Sequence, residues 1–227
     1  MPVNRFLEPL RIKYITKLLK SHGILTVVDA VSTMFGEELD ATYIDILCGG
    51  SQKVISAPPG LTICVLSEDA KAAINNRCTP IRSFYANLKV FFNYYEEKWF
   101  PYTMPISDIK GLSAAIENIE NDSEILTRHA KIAAASRKAI TAAGLKLYAN
   151  SGYSNTVTVF EVPAALTAEA ILETMRQEHN IMIAGSFDVF AGKIIRIGHM
   201  GNNASVENMK ETFGALDMTL GKLGFEA

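Results

Sequence analysis

Ile24-Leu25-Thr26-Val27-Val28-Asp29-Ala30-Val31-Ser32 and Ile44-Asp45-Ile46-Leu47-Cys48-Gly49-Gly50-Ser51-Gln52-Lys53 decide the fold of this chain. Each is a short apolar run that closes in a turn. Each carries one ionisable residue at or just past its end, Asp29 in the first and Lys53 in the second. The first run is almost wholly apolar, as expected of a parallel strand with both faces of its sheet covered. Open α/β sheets bind ligands beyond the carboxyl ends of their strands, so Asp29 and Lys53 are expected to share one site. A third run, Ile194-Ile195-Arg196-Ile197-Gly198, sets a lone arginine inside an apolar strand. An unpaired guanidinium is costly there, so Arg196 is expected to meet a carboxylate, from the protein or from a ligand.

Working outward, a helix is expected from about Glu8 to Ser21, where Leu10, Tyr14 and Leu18 recur at helical spacing and Gly23 stops the pattern. Ala57-Pro58-Pro59-Gly60 reads as a rigid turn, Leu61 to Leu66 as a further buried strand, and Ser67 as the cap of the helix that follows. The aromatic-rich stretch from Phe84 to Tyr102 lacks basic interleaving, so it reads as a core or subunit-interface stripe rather than a base-stacking platform. One long helix is expected from Ser107 to Ala143. Strands at Leu145–Ala149 and Thr156–Val162, a helix over Ala168–His179 capped by Thr167, strands at Ile181–Ala184 and Lys193–Ile197, and a closing helix from Ser205 to Leu223 complete the reading. That order points to an α/β part with a mostly parallel sheet over residues 1–120 and a small α+β domain over residues 121–227.

The bulk composition excludes several classes. The chain has 227 residues, 48% of them hydrophobic, enough for a real core. A net charge of −2, from 22 basic and 24 acidic residues interspersed along the chain, gives no basic surface for nucleic acid. No apolar stretch approaches the roughly 20 residues of a membrane span, and Met1-Pro2-Val3-Asn4-Arg5 lacks the core of a signal peptide. Cys48, Cys64 and Cys78 have no metal-ligand spacing, and an odd count suits a reducing compartment, so a cytoplasmic location is expected. Cys48 and Cys64 read as small buried hydrophobes. No metal site is expected. His22, His129 and His179 read as ordinary surface or boundary residues on helices, whereas His199 follows the arginine run and reads equally as site-lining or structural.

An amine and a carboxylate at adjacent strand ends are the pair that pyridoxal phosphate requires. The amine forms an imine with its aldehyde, and the acid keeps the ring nitrogen protonated so that the ring can accept electrons. Five strings taken together resemble the class V aminotransferases, within the fold-type I pyridoxal-phosphate enzymes, and in particular the alanine–glyoxylate and serine–pyruvate group. They are Val28-Asp29-Ala30-Val31-Ser32, Gly50-Ser51-Gln52-Lys53, Ala57-Pro58-Pro59-Gly60, Pro101-Tyr102-Thr103 and Arg196-Ile197-Gly198-His199-Met200-Gly201. Each alone is weak, but their order and spacing make the likeness specific, and it covers nearly all of the chain.

The resemblance implies a role for each matching residue. Lys53 would form the internal aldimine and carry the proton between the substrate α-carbon and the cofactor. Asp29 would bind the pyridine nitrogen, Gln52 the ring hydroxyl, and Thr103 the cofactor phosphate of the partner subunit in a homodimer. Arg196 would grip the substrate α-carboxylate, which its planar fork matches in two bonds. Phe100 stands where some relatives carry a tyrosine, so that position donates no hydrogen bond here. The implied reaction moves an amino group from alanine or serine to a small 2-oxo acid such as glyoxylate or pyruvate. Cysteine desulfurases of the same fold carry histidine immediately before the lysine, where this chain has Gln52.

Members of that family are much longer. The sequence is expected to correspond to their C-terminal portion, beginning at the helix before the Asp29 strand. The helix N-terminus that would cradle the cofactor phosphate is then absent, and sheet edges are left uncovered. The alternatives are a catalytically inactive fragment and one subunit of a two-chain enzyme completed by an N-terminal half.

Overall fold

The computed structural model describes residues 9–225. Helix α1 spans Pro9–Ser21; Glu8, where the sequence pattern starts it, lies outside the described residues, as do Met1 to Arg5. The first sheet comprises β1 (Val27–Asp29), β2 (Ile46–Gly50) and β3 (Thr62–Leu66), in that spatial order. β1 runs parallel to β2 with Asp29 opposite Cys48, and β3 runs antiparallel to β2 with Cys64 opposite Cys48. The described sheet is therefore mixed rather than mostly parallel. Residues 51–61 connect β2 directly to β3, which is shorter than the roughly dozen-residue crossover that a parallel return needs.

Beyond the sheet, α2 (Glu68–Asn75) is capped by Ser67, whose Oγ accepts the Ala70 N–H at 3.1 Å. α3 (Tyr94–Glu97) is a single turn, followed by α4 (Ile106–Glu120) and α5 (Ile125–Ala142). The helix expected over Ser107 to Ala143 is thus two helices. Residues 121–124 break it because Asn121 Nδ2 turns back to donate to Glu117 O at 2.8 Å. The Asp122 carboxylate accepts from both Arg128 terminal nitrogens at 3.0 and 2.6 Å and from the Glu124 N–H. Short polar side chains that bond local backbone compete in this way with the helix ladder.

β4 (Val157–Glu161) and β5 (Ile194–Gly198) form an antiparallel pair, with α6 (Ala168–His179) and α7 (Val206–Lys222) completing the chain. Thr167 and Ser205 cap α6 and α7 through their hydroxyls. The strands expected at Leu145–Ala149 and Ile181–Ala184 are present only as single bridges, Leu147 to Phe160 and Ala184 to Arg196. Each touches its neighbour too briefly to build a ladder.

Among the described residues two hydrophobic cores result. One packs Ala30, Met34, Leu47, Ile55 and Ala57 beneath the three-stranded sheet and against Ala115 of α4. The other packs Ile140, Phe160, Ile171, Met175, Ile195 and Leu216 between the two-stranded sheet and α5, α6 and α7. The expectation that both faces of the β1 strand are covered fails. Ile24, Leu25 and Val27 are 51%, 46% and 69% exposed, and among the described residues β1 pairs on one side only. The aromatic stretch is not core either: Phe84, Tyr85, Tyr94, Tyr95, Trp99 and Phe100 are all exposed, with only local stacking such as Tyr85 on Tyr102 at 4.8 Å.

Candidate active site

Asp29 ends β1 on the exposed side of the sheet. Its Oδ1 accepts the Val31 N–H at 2.9 Å, which folds Ala30-Val31 back over the strand end. The Ala30 N–H continues the parallel ladder to Cys48 O at 2.8 Å. That Asx turn leaves the second carboxylate oxygen with no hydrogen bond among the described residues.

Lys53 sits in the turn that follows β2, and Ser51 holds that turn closed. Ser51 is fully buried. Its N–H donates to Leu61 O, its carbonyl accepts from the Ala57 N–H, and its Oγ donates to Pro58 O at 2.6 Å while accepting from the Leu61 N–H. The Ala57-Pro58-Pro59-Gly60 string thus braces the lysine turn. Gly50 brings the two turns together: a Cβ there would stand 3.0 Å from Gln52 Oε1 and 3.1 Å from Val31 Cγ1. The Asp29 turn and the Gln52-Lys53 turn are therefore neighbours at the carboxyl ends of two parallel strands. Lys53 is half-buried, and among the described residues its amine has no carboxylate partner and no hydrogen bond.

Arg196 lies mid-β5, half-buried. Its Nε donates to Gly185 O at 2.9 Å and its guanidinium lies 5.6 Å from the centre of the Phe187 ring. These contacts orient the group while leaving its terminal nitrogens without a carboxylate among the described residues. The chain after Arg196 returns to the lysine turn. Gly201, at φ +56°, packs so closely on Val54 O and Ser56 Oγ that a Cβ would collide with both, and the Asn202 N–H donates to Ser56 Oγ at 3.1 Å. Thr103 is exposed between Pro101 and Pro105, and among the described residues no hydrogen bond ties it to the Asp29–Lys53 group.

The sequence reading missed the residues that hold this joint. His129, expected near the surface, is fully buried. Its Nε2 accepts the Gly201 N–H at 2.9 Å and its Nδ1 lies 2.6 Å from Ile125 O. A backbone N–H can only donate, so Nε2 carries no proton and the neutral Nδ1–H ring donates to Ile125. Burial holds its pKa below the usual value. His199 is buried, 4% exposed, with Nε2 2.9 Å from Thr158 Oγ1, and burial pushes its pKa down to about 4. Buried Glu37 accepts from Ser154 Oγ and the Asn155 N–H across the same joint. Gly201 and Ser51 stand inside strings singled out from sequence, but neither spacing nor residue type reveals a bracing role, and His129 lies outside every such string.

Below the sheet, Asp45 is almost fully buried and accepts from Lys20 at 2.8 Å, from the Thr26 N–H at 3.0 Å and from Ser67 at 2.9 Å. Burial alone would raise its pKa, but those donors outweigh it and hold the carboxyl down at about 2. Asp45 is thus spent on tying α1, β1 and α2 together, whereas Asp29 keeps an oxygen free. Among the described residues no group of histidine, cysteine and acidic side chains could hold a metal ion, and no helix is long and apolar enough to cross a membrane. The free amine, free carboxylate oxygen and free guanidinium edge fit pyridoxal phosphate and an amino-acid carboxylate. Pyridoxal phosphate calls for an amine and an acid partner, and an amino-acid carboxylate for a cationic fork, and these residues are of those chemical types.

The family model Aminotransferase class-V matches residues 10–193. An uncharacterised aminotransferase of Methanocaldococcus jannaschii is 35% identical over 224 residues, covering 95% of this chain and 57% of that protein. The serine–glyoxylate aminotransferase of Arabidopsis thaliana is 34% identical over 80% of this chain and 46% of its own length. Among solved structures, a pyridoxamine–pyruvate aminotransferase from Mesorhizobium loti superposes with a TM-score of 0.88 at 30% identity, over 93% of this chain and 56% of that one. The ureidoglycine–glyoxylate aminotransferase of Bacillus subtilis superposes with a TM-score of 0.89 at 30% identity, over 95% of this chain and 58% of that one. The chain spans about half the length of the relatives it matches.

Proposed function

Because the chain belongs to the class V aminotransferase family, whose cofactor is pyridoxal phosphate, we propose that it carries the lysine, acid and arginine of a transaminase. The reaction would move an amino group from alanine or serine to glyoxylate or pyruvate. The observation that carries this reading is the juxtaposition of the Asp29 and Lys53 turns around Gly50, with a free amine on one and a free carboxylate oxygen on the other. When bound, pyridoxal phosphate supplies an electron sink for the bond pair left on the substrate α-carbon.

The chain's own residues supply the rest. The Asp29 oxygen not engaged by Val31 accepts from the protonated ring nitrogen and keeps that proton in place. Lys53 would hold the cofactor through its amine and would take and return the proton at the substrate α-carbon. Gln52, whose side chain lies over Gly50, bonds the ring hydroxyl. Arg196, held at Nε by Gly185, offers its terminal nitrogens to the substrate carboxylate. Exposed Thr103 is assigned to the cofactor phosphate of a second subunit in a homodimer. We place the division between the cofactor-binding part and the small C-terminal part at Glu120, the end of α4. One core draws on residues up to Ile119 and the other on residues from Ile140.

The test is an absorbance scan of the chain with added pyridoxal phosphate, then borohydride reduction and peptide mass mapping. A visible imine band with the label on Lys53, lost in Lys53→Ala, is the expected result. No band, or label scattered over surface lysines, would overturn the catalytic reading in favour of an inactive fragment or a subunit that needs a complementing half.

A further inference from the structure

Cys48 and Cys64 stand opposite each other in the β2–β3 ladder, and the phase of that ladder fixes how their side chains meet. The Ser67 N–H donates to Asp45 O at 2.8 Å and the Ser51 N–H donates to Leu61 O at 3.1 Å. These are hydrogen-bonded pairs of the same antiparallel register. Because such pairs alternate with non-hydrogen-bonded ones, Leu47/Val65 and Gly49/Ile63 share the bonded phase and Cys48/Cys64 falls in the other. In a non-hydrogen-bonded pair the Cα atoms lie about 4.5 Å apart and the side chains approach most closely. Disulfides span Cα separations of roughly 4.4–6.8 Å, so the pair can be bridged without moving either strand.

Both thiols are free and half-buried, not sealed in the core. Burial, and then the neighbouring Cys48, push the Cys64 thiol up. The register also sets Asp29, Cys48 and Cys64 in one row across three strands on one face of the sheet.

We propose that Cys48 and Cys64 are a thiol–disulfide site that closes into a cross-strand bond on exposure to a small-molecule disulfide such as oxidised glutathione. The Cys48 thiolate attacks one sulfur of the oxidant, forming a mixed disulfide and releasing one thiolate. Cys64 then gives up its proton and attacks Cys48 Sγ, expelling the second thiolate. Two protein thiols are oxidised, one disulfide is reduced to two thiols, and the protons pass to the released thiolates. The bond closes a ring that contains Ser51, Gln52 and Lys53, so oxidation restrains the loop that carries the lysine. This inference does not depend on the proposed transaminase activity.

Exposed Cys78 is removed first, as Cys78→Ser, to leave only the pair. The variant is incubated with oxidised glutathione and mapped by mass spectrometry without reduction, alongside amide hydrogen exchange. The expected result is a single intramolecular Cys48–Cys64 link, loss of both free thiols, slowed exchange over residues 51–61, and full reversal by dithiothreitol. In Cys48→Ser/Cys78→Ser, oxidation of Cys64 stops at the glutathione adduct. Stable glutathione adducts on both cysteines of the pair, disulfide-linked dimers, or free thiols at oxidant levels that modify Cys78 in the unaltered chain would each overturn the proposal.

Discussion

The β4–β5 sheet and the β1–β2–β3 sheet are built from strands of similar apolar content, yet only the first is enclosed. Phe160 and Ile195 are fully buried against α5, α6 and α7, whereas Val27 is 69% exposed on β1 and Val65 51% exposed on β3. The two sheets also rely on different interactions. Around β4–β5 the cohesion is apolar, a cluster of large side chains with their surface removed from water. Around β1–β2–β3 the buried apolar cluster has fewer members, three of its seven being alanine, and the buried Asp45 ties α1, β1 and α2 together through charge-assisted hydrogen bonds. Apolar sequence thus specifies a strand, but what packs over it decides whether the strand is buried.

The largest expected effect comes from removing the centre of the enclosed core. Phe160→Ala should lower the unfolding free energy by about 3–5 kcal/mol, the usual cost of a large core truncation. Val27→Ala should change it by no more than about 0.5 kcal/mol. Urea unfolding of both variants measures the difference, and equal losses would remove the contrast between the sheets.

Acid should then separate the two regions by pH. His199 titrates at about 4 in the folded chain and His129 below its ordinary value, both chiefly because they are buried. The unfolded chain takes up protons at both near pH 6.5. Their contribution to stability is therefore complete above about pH 6.5 and is lost as pH falls towards about 4. For His199 alone the loss is on the order of 3 kcal/mol. Asp45 behaves differently: its folded value of about 2 lies below the ordinary carboxyl range. Its contribution is intact above the unfolded value near 3.9 and fades only as pH falls through about 2. Urea midpoints measured between pH 7 and pH 4 should fall in the unaltered chain and flatten in His199→Gln; an unchanged slope in that variant would show that the ring does not titrate as its burial requires.

The joint between the regions is the next place to press. Gly201 occupies the left-handed region and leaves no room for a Cβ beside Val54 O and Ser56 Oγ. Gly201→Ala should cost about 2 kcal/mol and displace the lysine turn. Labelling of Lys53 by pyridoxal phosphate and borohydride should then fall more than stability does; parallel losses would mean the joint is merely structural.

Much of this was legible in the sequence because it depends on local pattern. Asp29, Gln52 and Lys53 end apolar runs, and Ser67, Thr167 and Ser205 are caps that can be read one turn from their helices. The break at 121–124 was not legible, because Asn121 and Asp122 interrupt a helical period without glycine or proline. The antiparallel β3 was masked by its apolar content, which fits either direction. Burial of His129 depends on Gly201, far away in sequence, and the covering of a strand depends on partners that local pattern does not name.

The smallest stability effect tests the open sheet where it is most exposed. Val65 lies on β3, which pairs only with β2 among the described residues, so its outer edge presents backbone donors and acceptors beside an exposed apolar side chain. Such an edge favours pairing with another chain. Val65→Thr keeps the branched shape that strands prefer and replaces one methyl with a hydroxyl that water can solvate. Unfolding free energy should therefore stay within about 0.5 kcal/mol, while self-association at high concentration falls, as read by size exclusion with light scattering. Because Val65 is half-solvated already, any large loss of stability would mean that this face is packed in solution, and an unchanged association profile would place the sticky surface elsewhere, with the exposed aromatics from Phe84 to Phe100 the next to test.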